Sequence, residues 1–267
     1  CYEPHPLCTE AATIVQRHLV ESGIMLGNED EGKMFGVLVV EEREGEGVSG
    51  DTRLCFLAAY SGLLAGRNDW PWFVPPVFDA QQPDGHFKME EARISDINTE
   101  MEALRHSPEY AKATEALRHY DATAHAMMEH LQQEAAEAKA QRDARRAQSQ
   151  PLTPEEAALM ERESQHMKAE LRRTRKRIET ERTAMEAPIK VMEEHLAKLR
   201  QQRRTMSDDL QRWLFSQYRM LNARGEERTL CDIFAATVQH TPPAGAGDCC
   251  APKLLQYAYQ HGLHPIC

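Results

Sequence analysis

The chain lacks any run of about 18 consecutive apolar residues, the length that suggests a membrane-spanning helix. It also opens without a hydrophobic leader, so we expect a soluble cytoplasmic protein that is not exported and has no membrane partner. An excess of positive charge is missing too. The net charge is −10 at pH 7, which argues against nucleic-acid binding by the surface as a whole.

The cysteines do not suggest a disulfide framework. There are seven, and an odd number in a chain without an export signal favours reduced thiols. Free cysteines are common core residues, so we expect no cofactor. A zinc site is the alternative, because the residue types and spacings are compatible with one. Its candidate ligands are Cys1, His5, Cys8, Cys249 and Cys250.

The positive charge that is present is concentrated in one short segment. Between Lys168 and Arg177 six residues are basic and one is acidic. Because screening limits the reach of each charge to about 10 Å, such a group can bind phosphate even in an acidic protein. A solvated helix face has the same pattern. We call this group the basic stripe: Lys168, Arg172, Arg173, Arg175, Lys176 and Arg177.

A further candidate for phosphate binding is Lys253, at the start of a helix predicted over residues 248–258. A salt bridge is the alternative role for its ammonium group. Asp248 is the predicted N-cap of this helix, and Gly262 is the predicted C-terminal stop.

The first part of the chain predicts one helix and one β-hairpin. Residues 9–21 are amphipathic, with Thr9 as the predicted cap. Residues 34–40 and 54–60 are apolar throughout, and a polar, glycine-rich segment at 41–51 separates them. We therefore expect two strands that are covered on both faces.

An aromatic segment follows at residues 70–76. Its three prolines exclude a regular helix or strand. Its three aromatic residues, Trp70, Trp72 and Phe73, are expected to pack against the domain, and a stacking platform for RNA is the alternative.

The middle of the chain is rich in strong helix formers and carries two helix starts. Ser107 precedes Pro108, and Thr153-Pro154 precedes the capping-box acid Glu156. The short connector forces the two helices to lie antiparallel. The predicted coiled-coil seam consists of Tyr110, Ala113, Leu117, Tyr120, Ala124, Met127 and Leu131, and of Leu171, Ile178, Met185, Met192, Leu199, Met206 and Trp213. Arg175 occupies one of the companion positions of this seam.

Together these elements predict an α+β (or α/β) fold that is mostly helical by residue count. A small α/β domain is interrupted by a long antiparallel helical hairpin. We assign residues 1–90 to the first part of that domain, 91–222 to the hairpin insert and 223–267 to the second part, which looks cut short.

Several unusual sequence blocks occur in one order. They are CYEPHPLC, FGVLVV, LCFLAAYSG followed by LAGRNDWPWFVPPVFD, QPDGHFK, LNARGE and PPAGAGDCCAPKLLQYAYQHGL. In this order and spacing they resemble the N-terminal extension of a bacterial subgroup of RluA-type RNA pseudouridine synthases. The resemblance covers nearly all of the chain, although the helical insert matches in character more than in letters.

This resemblance implies a parent isomerase that makes pseudouridine in RNA. The family uses an aspartate in a His-Arg-Leu-Asp motif on a separate downstream domain, and no such tetrad occurs in this sequence. The chain is therefore expected to be a non-catalytic accessory module, without catalytic residues, that binds structured rRNA or tRNA through its helical arm. The alternative is a coiled-coil interaction module that forms a homodimer or docks another protein.

A weaker similarity concerns the zinc-dependent nucleic-acid deaminases, which share a leading helix, a strand hairpin and a helix with a zinc ligand at its start. It places Cys249 at the ligand position and Ala251 where those enzymes have a proton-shuttling glutamate. Without that carboxylate, zinc-bound water loses its acid/base partner. A divergent deaminase-like domain is thus a third alternative, and deamination is not expected.

Overall fold

The computed structural model describes residues 3–24, 27, 32–43 and 52–267. Most of these residues are helical, and the strands form small antiparallel sheets, so the α+β class is confirmed. The chain divides into unit 1, which contains Cys1–Ile94 and Thr205–Cys267, and unit 2, which contains Ser95–Arg204. The connector predicted between the first two strands lies almost entirely at residues 44–51, outside the described residues.

Helix α1 spans Pro6–Glu21 and begins three residues before the predicted start. The prediction that Thr9 caps it is wrong. Pro6 occupies the first turn, and the cap is His5, whose Nδ1 accepts a hydrogen bond from the Leu7 amide at 3.3 Å. A proline at the first helical position needs no amide partner, which allows the helix to start earlier.

The main sheet has three strands: β1 spans Phe35–Arg43, β2 spans Thr52–Tyr60 and β5 spans His264–Pro265. They lie in the order β2–β1–β5, and neighbouring strands are antiparallel. The first two pair along their whole length, from Phe35 opposite Tyr60 to Arg43 opposite Thr52. The predicted hairpin is therefore confirmed, and it continues into polar residues beyond the apolar runs.

Both faces of this sheet are covered, as predicted. Ala58 and Tyr60 of β2 lie in one apolar cluster with Val15 of α1. The intervening residue, Ala59, lies in a second cluster with Leu254. Because side chains alternate along a strand, one apolar run can fill two cores.

The rest of unit 1 follows the helical insert. A two-stranded sheet forms between β3, Arg219–Leu221, and β4, Glu227–Thr229. Helix α5 spans Leu230–Ala235, and helix α6 spans Cys250–Gln260. The chain leaves α6 through Gly262, whose φ of +66° suits the predicted stop.

Gly247 is a position in unit 1 where a larger residue should destabilise the fold. Its φ is +92°, and a Cβ atom there would lie 2.7 Å from Cδ1 of Tyr218. Gly245 has a comparable φ of +77° with nothing within 4 Å, so it is a matched control. Gly245→Ala should lower the free energy of unfolding by about 1 kcal/mol from backbone strain alone. Gly247→Ala should lower it by about 2 to 4 kcal/mol, because overpacking adds to the strain.

Chemical denaturation of both variants measures this difference. Equal losses for Gly247→Ala and Gly245→Ala would show that the contact with Tyr218 is not tight.

The helical arm contains three helices. Helix α2 spans His86–Arg105, α3 spans Pro108–Arg146 and α4 spans Pro154–Gln217. Both predicted starts are confirmed: the Ser107 hydroxyl accepts from the Tyr110 amide at 3.2 Å, and Thr153 and Glu156 form the reciprocal capping box. At 1.5 Å per residue, the 39 residues of α3 extend over about 60 Å.

Side-chain contacts within unit 2 show that α3 and α4 run antiparallel. The Tyr120 hydroxyl lies 2.8 Å from Glu181, and the Arg145 guanidinium lies 3.1 Å from Glu156. Two predicted seam residues are wrong: Met127 is 41% exposed and Met185 is 40% exposed, whereas Met128 is half-buried. An α-helix has 3.6 residues per turn, whereas alternating steps of three and four residues average 3.5. Residues predicted from such steps therefore drift away from the buried face of the helix.

The insert was predicted to extend to residue 222, whereas unit 2 ends at Arg204. The last part of α4 contributes Phe215 to a cluster of unit 1 that also contains Tyr218 and Leu230. Helix α4 therefore continues beyond the end of unit 2, and its last residues belong to unit 1.

Candidate nucleic-acid interface

The basic stripe lies on α4 within unit 2, and all six of its side chains are exposed. None of them forms an ion pair with a carboxylate in the described part of the chain, whereas many other arm arginines do. Arg118 lies 2.6 Å from Glu115, and Arg182 lies 3.0 Å from Asp121. The stripe thus holds cations that are available to an external anion.

The spacing of the stripe spreads its charge around the outer surface of the helix. Lys168, Arg172 and Arg175 are separated by four and three residues, which places them on one face. Arg177 lies on the other side, where its guanidinium contacts Met127 Sδ at 3.5 Å. The buried position beside the stripe is Thr174, so the predicted seam role of Arg175 is wrong.

Lys253 occupies a different environment from the stripe. Its side chain is 2% exposed, and Nζ lies 2.6 Å from Oδ1 of Asp248. The same Nζ donates to the Tyr60 carbonyl at 3.0 Å and lies 5.5 Å from the Tyr60 ring centroid. This geometry favours the salt-bridge alternative. It also explains why Asp248 does not cap α6, whose N-cap is Cys249 without a side-chain hydrogen bond.

Two of the zinc candidates, His5 and Cys8, lie at the start of α1. The Nδ1 atom of His5 is used as the helix cap described above. The Sγ atom of Cys8 lies 3.5 Å from that of Cys267. Burial, and then the neighbouring Cys267, raise the pKa of the Cys8 thiol, which disfavours the thiolate form that binds metals.

The other zinc candidates lie at the start of α6, except for Cys1, which is outside the described residues. Cys250 Sγ faces the Met34 carbonyl oxygen at 3.3 Å, and burial raises the pKa of this thiol. Cys249 Sγ lies 3.7 Å from the Gly245 carbonyl oxygen. Among the described residues no three histidine, cysteine or acidic side chains are grouped so that they could hold a metal ion.

The aromatic segment packs against unit 1. Phe73 is buried, and the Trp70 indole donates to the Leu64 carbonyl at 2.6 Å. The Trp72 ring stacks on His18 with a centroid distance of 4.0 Å. The packing role therefore holds for Trp70 and Phe73, whereas Trp72 contacts His18 but remains 45% exposed.

Sequence reasoning alone does not identify Arg142 of α3 as a candidate. Its side chain is 10% exposed, and its NH1 atom has no hydrogen-bond partner in the described structure. The available signal is an alanine-rich stretch at residues 135–140, which leaves little side-chain volume around an arginine on the inner face.

In the part of the chain that the structure describes, no helix is both long and apolar enough to cross a bilayer. Comparisons with protein-family models, with curated proteins and with solved structures give no match to this chain. The geometry and the sequence must therefore support any functional conclusion.

Proposed function

We propose that this chain is a non-catalytic accessory module of an RNA pseudouridine synthase and that its helical arm holds structured rRNA or tRNA. The observation that carries the proposal is the basic stripe, in which six exposed cations lie close together without carboxylate partners among the described residues. The family resemblance rests on the sequence blocks, and the lack of a His-Arg-Leu-Asp motif in this sequence supports a non-catalytic role.

Binding through such a stripe would be directed at phosphates. Arginine and lysine neutralise phosphate charge and release counterions, which provides affinity without reading the bases. Folded RNA is commonly recognised in this way, by shape and by its backbone. The acidic remainder of the chain would confine the contact to the arm, since the net charge is −10.

Unit 1 fits a supporting role in this proposal. Its leading helix, strand hairpin and returning helix α6 have the order that the deaminase similarity implies. Ala251 stands at the position of the proton-shuttling glutamate, and the raised pKa of the nearby Cys250 disfavours a metal-binding thiolate. We infer that this unit is a deaminase-like scaffold without deaminase chemistry.

Protein docking or homodimerisation through the arm is the second candidate. It is favoured by large apolar side chains of unit 2 that remain exposed, namely Met127, Leu159, Met185 and Val191. They are scattered along two helices, so they favour docking less than the continuous stripe favours RNA. Light scattering of the intact chain would reveal a dimer.

Neutralising the stripe tests the RNA proposal. The variant replaces five residues with glutamine, which keeps helix propensity: Arg172, Arg173, Arg175, Lys176 and Arg177. We expect its affinity for a folded RNA hairpin to fall by about 100-fold, measured by fluorescence anisotropy. The slope of log K against log salt should flatten by about 0.7 to 0.9 for each phosphate that the variant no longer neutralises.

A matched control changes five other exposed cations of unit 2 to glutamine: Lys112, Arg118, Lys190, Lys198 and Arg200. Each variant removes five positive charges from a chain with a net charge of −10, so a general charge effect would be equal in both. We expect the control to lose much less affinity. Equal losses, or an unchanged affinity of the stripe variant, would contradict the proposed interface.

A further inference from the structure

The inner surface of the arm opens into a groove next to the basic stripe. Ala135 and Ala136 of α3 line it, and their small side chains leave a space of about 860 Å³ between α3 and α4. A smaller space of about 530 Å³ is lined by Ala138. Arg142 lines both spaces.

The environment of Arg142 is unusual for a buried cation. Its side chain is nine-tenths buried, and NH1 has no hydrogen-bond partner in the described structure. The nearest carboxylate oxygen, Oε2 of Glu163, lies 4.0 Å away, beyond hydrogen-bonding distance. A buried charged donor without an acceptor is strongly disfavoured, and a bound anion would remove this penalty.

The charge around the groove fits an anion. Four basic side chains line it, Lys139, Arg142, Arg146 and Lys168, against two acidic ones, Asp143 and Glu161. Asp143 lies 3.2 Å from Arg146, so these two charges offset each other and Lys139, Arg142 and Lys168 remain against Glu161. The planar, forked guanidinium of arginine matches the oxygen geometry of a phosphate.

We propose that this groove is a phosphate-binding subsite, anchored by the buried Arg142, that seats one backbone phosphate of the RNA held by the basic stripe. The proposal rests on the RNA-binding function proposed above. Lys168 connects the two features, because it belongs to the stripe and also lines the groove. RNA bound along the outer face of α4 would therefore extend over one edge into this space.

The test compares Arg142→Met with Arg118→Met in the full chain. Arg118 is an exposed arm arginine paired with Glu115, outside the groove, and serves as the control. With an RNA hairpin of about 16 base pairs as probe, Arg142→Met should lower affinity about tenfold, as expected when one charge-assisted hydrogen bond is removed. Its salt slope should flatten by about 0.7 to 0.9. Arg118→Met should change neither quantity.

Two further measurements keep the outcome interpretable. Lys139 lines the groove and is exposed, so Lys139→Gln should lower RNA affinity without disturbing the packing of α3 against α4. This variant tests the groove even if Arg142→Met does not fold. Inorganic phosphate titrated into the full chain should shift one arginine side-chain NMR resonance, the one that is absent from Arg142→Met.

The results separate the two proposals. If the chain binds RNA and both groove variants bind it with unchanged affinity and salt slope, the subsite is overturned and the RNA-binding function stands. If the chain binds no RNA while phosphate still shifts the Arg142 resonance, the proposed function fails and the groove is a site for free phosphate only.

Discussion

Replacing Asp248 with asparagine is expected to lower the free energy of unfolding of unit 1 by about 3 kcal/mol. The reason is Lys253, whose Nζ lies 2.6 Å from the Asp248 carboxylate and whose side chain is 2% exposed. Asparagine keeps the size and the hydrogen-bonding oxygen but removes the negative charge. The ammonium group would then be buried without a counter-ion, with only neutral oxygens and the face of the Tyr60 ring around it.

The effect should depend on the lysine, which a double-mutant cycle measures. Lys253→Met removes the buried charge itself, so Asp248→Asn should be much less destabilising in that background. We expect the double variant to be more stable than Asp248→Asn alone by about 1 to 2 kcal/mol, as measured by urea denaturation. Additive losses would show that Asp248, whose side chain is 34% exposed, stabilises the protein independently of Lys253.

The parts of the fold that could be predicted from the sequence depend on short-range chemistry. The start of α3 was found from Ser107 and Pro108, and the start of α4 from the capping box of Thr153 and Glu156. The strands were found from continuous apolar runs, because side chains on both faces of the sheet are covered. Helix α2 also has a local signal in the sequence: Ile94, Ile97, Met101 and Leu104 recur at spacings of three and four.

The rest depends on partners that are distant in sequence. Asp248 has the residue type of an N-cap, yet its carboxylate pairs with a lysine that the fold has buried against Tyr60. Strand β5 forms only because His264 and Pro265 meet Glu41 and Val40 of β1. In the candidate interface, the stripe could be recognised from charge alone, whereas Arg142 becomes conspicuous only when its burial is known.

Deleting residues 95–204 is expected to remove RNA binding while unit 1 remains folded. The apolar clusters around Val15, Ala59 and Phe215 all consist of residues outside the deleted segment. A glycine-serine linker of about eight residues, with an average span of about 16 Å, would join Ile94 to Thr205. Changing the length of such a connection has only a small effect on the entropy of loop closure.

Tryptophan fluorescence measures whether unit 1 stays folded, because all three tryptophans, Trp70, Trp72 and Trp213, belong to this unit. The emission spectra of the deletion variant and the intact chain should coincide, and the variant should unfold in one cooperative transition. Its affinity for the RNA hairpin should fall by at least about 1000-fold, since every cation of the stripe and the groove is removed. A red-shifted spectrum would mean that unit 1 needs the arm to fold. A native spectrum with RNA affinity retained would instead move the RNA contact to unit 1 and contradict the role of the arm.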